Sequence, residues 1–156
     1  MKTIDELLAV HEFFHDLDPA YRTLVAGCGA NAVFEDGQYL FRTGAPADRF
    51  YAVRDGRVAL EAFAPDRGPL VVETVGPGDV IGWSWLFPPY EWTFDARAVG
   101  LVKAVSFDGA CLRGKCEQDH SLGWVLAKRF SYVMVRRLQS ARLSLLDLYG
   151  RPQPGA

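Results

Sequence analysis

Between about Ala32 and Asp108 the chain is punctuated at short intervals by turn-forming groups: Asp36-Gly37, Thr43-Gly44, Asp55-Gly56, Asp66-Arg67-Gly68 and Gly76-Pro77-Gly78-Asp79. Apolar, β-branched and aromatic runs lie between them, among them 49–53, 57–63, 70–75 and 96–107. Short strands broken by turns at this spacing rule out long helices here and predict an antiparallel sandwich or barrel. Each glycine stands where a tight turn between strands takes a positive φ, which glycine adopts without strain.

The flanks have a different period. Ile4, Leu7, Leu8, His11, Phe14 and His15 recur at helical spacing, with Asp5 and Glu6 suited to a helix start, and predict an amphipathic helix over 3–16. Leu17-Asp18-Pro19 breaks it. Asp18 can cap a second helix whose first turn holds Pro19 and which runs through Tyr21, Leu24 and Val25 to Gly27. Residues 121–149 contain no proline and one early glycine, Gly123, which predicts one long helix ended by Gly150 and Pro152. The expected organisation is one domain over 1–150, with N-terminal helices at 1–28, a β-roll at 29–108, C-terminal helices at 109–149 and a tail at 151–156.

Composition narrows the function classes. Hydrophobic residues make up 49% and charged residues 23%, which is globular rather than disordered. A net charge of -2 offers no basic excess for nucleic acid. No apolar run reaches the roughly 18 residues of a membrane span, and MKTIDELLAV lacks the apolar centre of a signal peptide. Three cysteines, an odd number, argue against a disulfide framework and predict reduced thiols in a cytoplasmic protein.

Residues 11–15 read HEFFH, the pattern in which two histidines on one helix face hold zinc and a glutamate acts as base. The helix break two residues after His15 and the distance to His120, the other histidine, speak against it. The favoured reading is that Phe14 and Leu17 anchor a short helix to the β-core with the histidines at its edge. Cys111, Cys116 and His120 have spacings x4 and x3; Cys116 and His120 could share a metal if their segment is helical, and Arg113 and Lys115 could lower thiol pKa. Two half-buried cysteines in a short helix explain the same residues better. No metal, cofactor or catalytic set is expected.

The stretch DGQYLFRTGAPADRFYAVRDGRVAL, residues 36–60, and VGPGDVIG, residues 75–82, resemble the cyclic-nucleotide-binding domains of the Crp/Fnr family and of cyclic-nucleotide-dependent kinases. Gly37, Leu40-Phe41, Gly44, Phe50-Tyr51, Gly56 and Val58 fall on the family pattern, and 76–82 on the turn into its phosphate-binding cassette. The resemblance covers residues 10–149. It implies an α+β fold: an antiparallel β-roll (a jelly-roll-like, double-stranded β-helix) with N-terminal helices and a long C-terminal helix.

It also implies a cassette in which a short helix holds the cyclic phosphate, a glutamate takes the ribose hydroxyl and an arginine pairs with the phosphate. Here Trp83 stands in the glutamate position and Trp92, or Thr93 with a one-residue shift, in the arginine position. Losing a charge-assisted partner of a desolvated phosphate costs on the order of 2–5 kcal/mol. The candidate ligand-binding residues are Gly82, Trp83, Ser84, Trp85, Leu86, Tyr90, Trp92 and Thr93. Three readings stay open for them: aromatic filling of the pocket, a different small ligand, or a cyclic nucleotide held in altered fashion.

In the last helix, Trp124, Ala127, Ser131, Met134, Leu138, Ala141, Leu145 and Leu148 form a heptad seam, while Leu122, Leu126, Phe130 and Val133 form a stripe for packing on the roll. The seam predicts a homodimer whose interface includes Met134, Leu138, Ala141, Leu145 and Leu148. Six residues follow Gly150, so no DNA-binding helix-turn-helix is expected. The resulting expectation is a non-enzymatic sensor for an unidentified small molecule, with a ligand-free adaptor for a protein partner as the alternative.

Overall fold

The computed structural model describes residues 1–150. The expected tail lies outside the described residues. Six strands pair antiparallel throughout: β1 (Gly29–Phe34), β2 (Tyr39–Phe41), β3 (Arg49–Ala64), β4 (Gly68–Val75), β5 (Val80–Ile81) and β6 (Asp95–Asp108). Helices α1 (Ile4–Ala9) and α2 (Pro19–Ala26) precede them, and α3 (Gly109–Gln118) and α4 (His120–Gly150) follow. This is the α+β roll that the glycine-spaced strands imply. No helix among the described residues is long and apolar enough to cross a membrane.

The long strands β3 and β6 pair along most of their length. β1 and β2 add to β6, and β4 and β5 to β3. Asp55-Gly56 was expected to be a turn between two strands. It is a bulge inside one strand, where the β3–β6 register shifts on both sides of Asp55. Gly56 has φ 86°, and a Cβ there would lie 2.2 Å from the Leu101 carbonyl oxygen. The glycine lets the strand bend over its neighbour rather than reverse.

Alternation along the strands divides the interior. Phe50, Ala52, Val105 and Phe107 face the helices and join Leu8, Phe14, Leu112, Leu122, Leu126 and Phe130. Tyr51, Val53, Val102 and Ala104 face into the roll and join Leu40, Phe41, Val58, Leu60 and Ile81.

Two local expectations are corrected. The first helix stops at Ala9 instead of continuing to residue 16, and HEFFH lies in turns closed by Phe14 N–H to His11 O (3.0 Å) and Leu17 N–H to Phe14 O (3.0 Å). Those turns let Leu8, Phe14 and Leu17 be buried together, and His11 is buried with them rather than sitting at an edge. The thiols are not all reduced either: Cys28 and Cys111 form a disulfide, with Cα atoms 5.9 Å apart. The Asp108 N–H bond to Cys28 O (2.9 Å) brings the start of α3 against the start of β1. An odd cysteine count does not prevent one pair from meeting, and Cys116 is the thiol left free.

Candidate functional site

The segment between β5 and β6, residues 82–94, is the cassette. Its second limb is zipped to residues 44–47 by Gly44 N–H to Trp92 O (2.8 Å), Trp92 N–H to Ala45 O (3.0 Å) and Ala47 N–H to Tyr90 O (2.7 Å). Its first limb is a single turn, closed by Leu86 N–H to Trp83 O (3.0 Å), where the resemblance implied a short helix. The Pro88–Pro89 bond is cis, and Tyr90 has φ 56°.

The candidate residues do not converge on one cavity. Trp92 is 3% exposed and enters the roll, with its ring 3.7 Å from that of Phe41 and nearly parallel to it. The indole also lies against Gly82, where an added Cβ would meet it at 2.5 Å. Trp85 is fully buried in the other direction, among Phe50 and Phe130 of the helix-side core. Leu86 packs partly buried against that same core. Ser84 is buried, Trp83 and Tyr90 are half-buried, and Thr93 is exposed. The roll interior around Trp92 is apolar apart from Tyr51, whose hydroxyl is 3.5 Å from Leu40 O and whose pKa is pushed up by burial.

Among the described residues, no cation enters that interior. Arg97, the nearest arginine in sequence, forms a two-pronged pair with Glu61 on β3, Nε to Oε1 at 3.2 Å and Nη2 to Oε2 at 2.9 Å. Glu61 is almost fully buried. The pair holds β6 to β3 and keeps the guanidinium away from Trp92.

Two arginines not assigned to the cassette from sequence hold it from the helices. Arg113 of α3 donates Nη1 to Trp85 O, and its Cζ lies 4.3 Å from the centre of the Tyr90 ring. Arg137 of α4 donates Nη2 to Val80 O (2.5 Å), lies 5.3 Å from the centre of the Trp83 ring and 3.7 Å from Glu73. Burial lowers the pKa of Arg137, with Glu73 and Asp79 opposing that effect, and its Nη1 is buried without a hydrogen-bond partner. Cation–π contacts of this kind follow from aromatic faces next to guanidinium groups. Nothing in local sequence marks either contact, because each joins elements dozens of residues apart.

The other metal-like patterns have ordinary occupations. Phe13 N–H donates to His11 Nδ1 (3.1 Å), so Nε2 carries the hydrogen and donates to Val53 O (2.9 Å). Both ring nitrogens are engaged. Cys111 is tied to Cys28, and burial raises the pKa of the free Cys116 thiol. No group of three or more histidine, cysteine or acidic side chains among the described residues is placed to hold a metal ion. The seam residues Leu138, Ala141, Leu145 and Leu148 are exposed on α4, and Met134 is half-buried.

Comparison with known proteins agrees with this architecture. The family model for the cyclic nucleotide-binding domain matches residues 32–119. A CRP-like cAMP-activated global transcriptional regulator of Mycobacterium tuberculosis is 29% identical over 97% of the chain, which spans 66% of that regulator's length. The structure of a protein from Geobacter metallireducens GS-15, named for cyclic nucleotide binding, superposes with TM-score 0.77 at 29% identity over 88% of this chain and 99% of that one. The N-terminal domain of a transcriptional regulator from Streptomyces coelicolor A3(2) gives TM-score 0.68 at 25% identity, over 83% and 93%.

Proposed function

The chain belongs to the cyclic nucleotide-binding domain family, and from that premise we propose that it is a non-enzymatic regulatory domain whose cassette is filled by its own side chains. In this reading cyclic AMP and cyclic GMP are not held in the family's usual mode. The observation that carries it is Trp92, buried in the roll, stacked on Phe41 and pressed on Gly82. A ribose phosphate placed there would have to expel an indole and then find no cation in its place. The single turn at 83–86 offers an anion much less than a helix terminus would.

Regulation then runs through α4. Its Arg137 already bridges to Val80 and Trp83, so the chain itself supplies a link between cassette and helix. The apolar seam on the exposed face of α4 supports a homodimer as the output form.

Isothermal titration with both nucleotides tests the reading. No binding at low-micromolar concentration is expected of the native chain. The substitutions Trp83→Glu and Trp92→Arg together should introduce measurable affinity, because they replace bulk by the two charged partners a cyclic nucleotide uses in the family. Low-micromolar binding by the native chain, abolished by changing Ser84 or Thr93, would overturn it.

A further inference from the structure

On the side of α4 that faces the N-terminal segment there is an open cleft of about 860 Å³. One wall is α4, which presents Lys128, Tyr132 and Arg136 on successive turns. The opposite wall is the segment carrying Phe13 and Tyr21, and the floor is the turn between β4 and β5. None of the cassette residues 82–94 lines it. Its volume is within the roughly 300–1,000 Å³ range of small-molecule sites.

The cations of the cleft divide into paired and unpaired. Arg129 bonds Asp16 (2.8 Å) and lowers that carboxyl's pKa, and Arg137 faces Glu73. Asp18 and Asp79 accept from the backbone N–H groups of Ala20 (2.9 Å) and Gly76 (2.9 Å). Lys128 and Arg136 are exposed and make no hydrogen bond or ion pair among the described residues. Each instead lies near a ring of its own helix, Lys128 by Trp124 at 5.3 Å and Arg136 by Tyr132 at 5.9 Å. The lining holds five carboxylates, Glu12, Asp16, Asp18, Glu73 and Asp79, to four cations, so its free positive charge is local to the α4 wall around Lys128 and Arg136. Phe13, Tyr21 and Tyr132 supply flat apolar faces beside it.

We propose that this cleft is a binding site for an aromatic acid: a small molecule with a planar ring system set against Tyr132 and Phe13, and an anionic group taken between Lys128 and Arg136. Such a molecule touches α4, the β4–β5 turn and the N-terminal segment at once, so its occupancy favours the arrangement of α4 on the roll that places all three walls together. The seam residues Met134, Leu138 and Leu145 do not line the cleft. The cleft meets the cassette only through Arg137, which lines the one and contacts Trp83 of the other.

Equilibrium fluorescence titration with 8-anilinonaphthalene-1-sulfonate, alongside its uncharged analogue N-phenyl-1-naphthylamine, tests it. One sulfonate site per chain is expected, with the neutral amine binding more weakly. Lys128→Gln with Arg136→Gln, both at exposed positions, should weaken the sulfonate on the order of tenfold and leave the amine unchanged, because only the anion uses those groups. Val125→Trp, which fills the cleft, should remove both. The proposal is overturned if the double glutamine variant binds the sulfonate as well as the native chain does, if the amine binds as tightly as the sulfonate, or if Leu138→Glu with Leu145→Glu abolishes binding and so places the probe on the seam.

Discussion

His11 is held as one neutral tautomer by two backbone groups, the Phe13 N–H at Nδ1 and the Val53 carbonyl at Nε2. Adding a proton would set an N–H donor against the Phe13 N–H inside a buried site. Burial accordingly lowers its pKa below the usual 6.5, although Val53, Asp79 and Glu12 all favour the charged form. The native state therefore binds fewer protons here than the unfolded chain does. His11 contributes stability that is complete above about pH 6.5 and is lost as pH falls through that value towards the lowered folded pKa. Asp16, whose pKa Arg129 holds down, loses its contribution only in the carboxylate range near pH 4 and below. Urea midpoints at pH 7.5 and 5.5 should thus fall in the native chain and fall less in His11→Gln. Equal slopes would show that His11 does not set this window. The sequence displayed His11 as part of HEFFH, but its actual partner is 42 residues away. A five-residue pattern carries no information about the Val53 carbonyl, and for the same reason nothing in the sequence tied Arg113 and Arg137 to the cassette.

Elements were more legible than side-chain partners because they are specified by local periodicity. Asp18 caps α2 through Ala20 N–H and Pro19 occupies its first turn, as their order implies. Helix α4 runs uninterrupted over His120–Gly150. What periodicity missed was bending. Asp55-Gly56 has the composition of a hairpin turn, and only the close Leu101 carbonyl distinguishes bulge from reversal. Within α4 the two stripes read from sequence fare differently. Leu122, Leu126 and Phe130 are buried on the roll, whereas Leu138, Leu145 and Leu148 are 53–66% exposed. Those three side chains are not buried within the chain, and the homodimer proposed above would cover them. Leu138→Glu with Leu145→Glu should convert a dimer at micromolar concentration to a monomer with little change in monomer stability, since neither side chain is buried within the chain. Sedimentation equilibrium decides this. A native chain that sediments as a monomer at that concentration removes the dimer.

At the scale of the molecule the cassette joins two cores that share β3 and β6. Trp92 belongs to the roll interior and Trp85 to the helix-side core, seven residues apart in one loop. Arg113 and Arg137 then fasten the loop to both C-terminal helices. The aromatic richness of 83–92 was plain in the sequence, but its division between opposite faces was not, because a loop has no period from which to assign faces. The division makes unequal demands on the two indoles. Trp92→Ala and Trp85→Ala each remove a large ring from a packed interior and should cost about 3–5 kcal/mol. Trp85→Phe should cost much less, because Trp85 Nε1 is buried with no hydrogen-bond partner and its removal strands no group. If the shared strands couple the cores, Trp92→Ala destabilises the whole domain rather than the roll alone. Urea unfolding of that variant followed by far-ultraviolet circular dichroism and by the fluorescence of Trp85 and its remaining neighbours should then give coincident transitions. Separate midpoints, with the helix-side core surviving after the roll has melted, would show that the cassette links two independently stable halves instead of one cooperative unit.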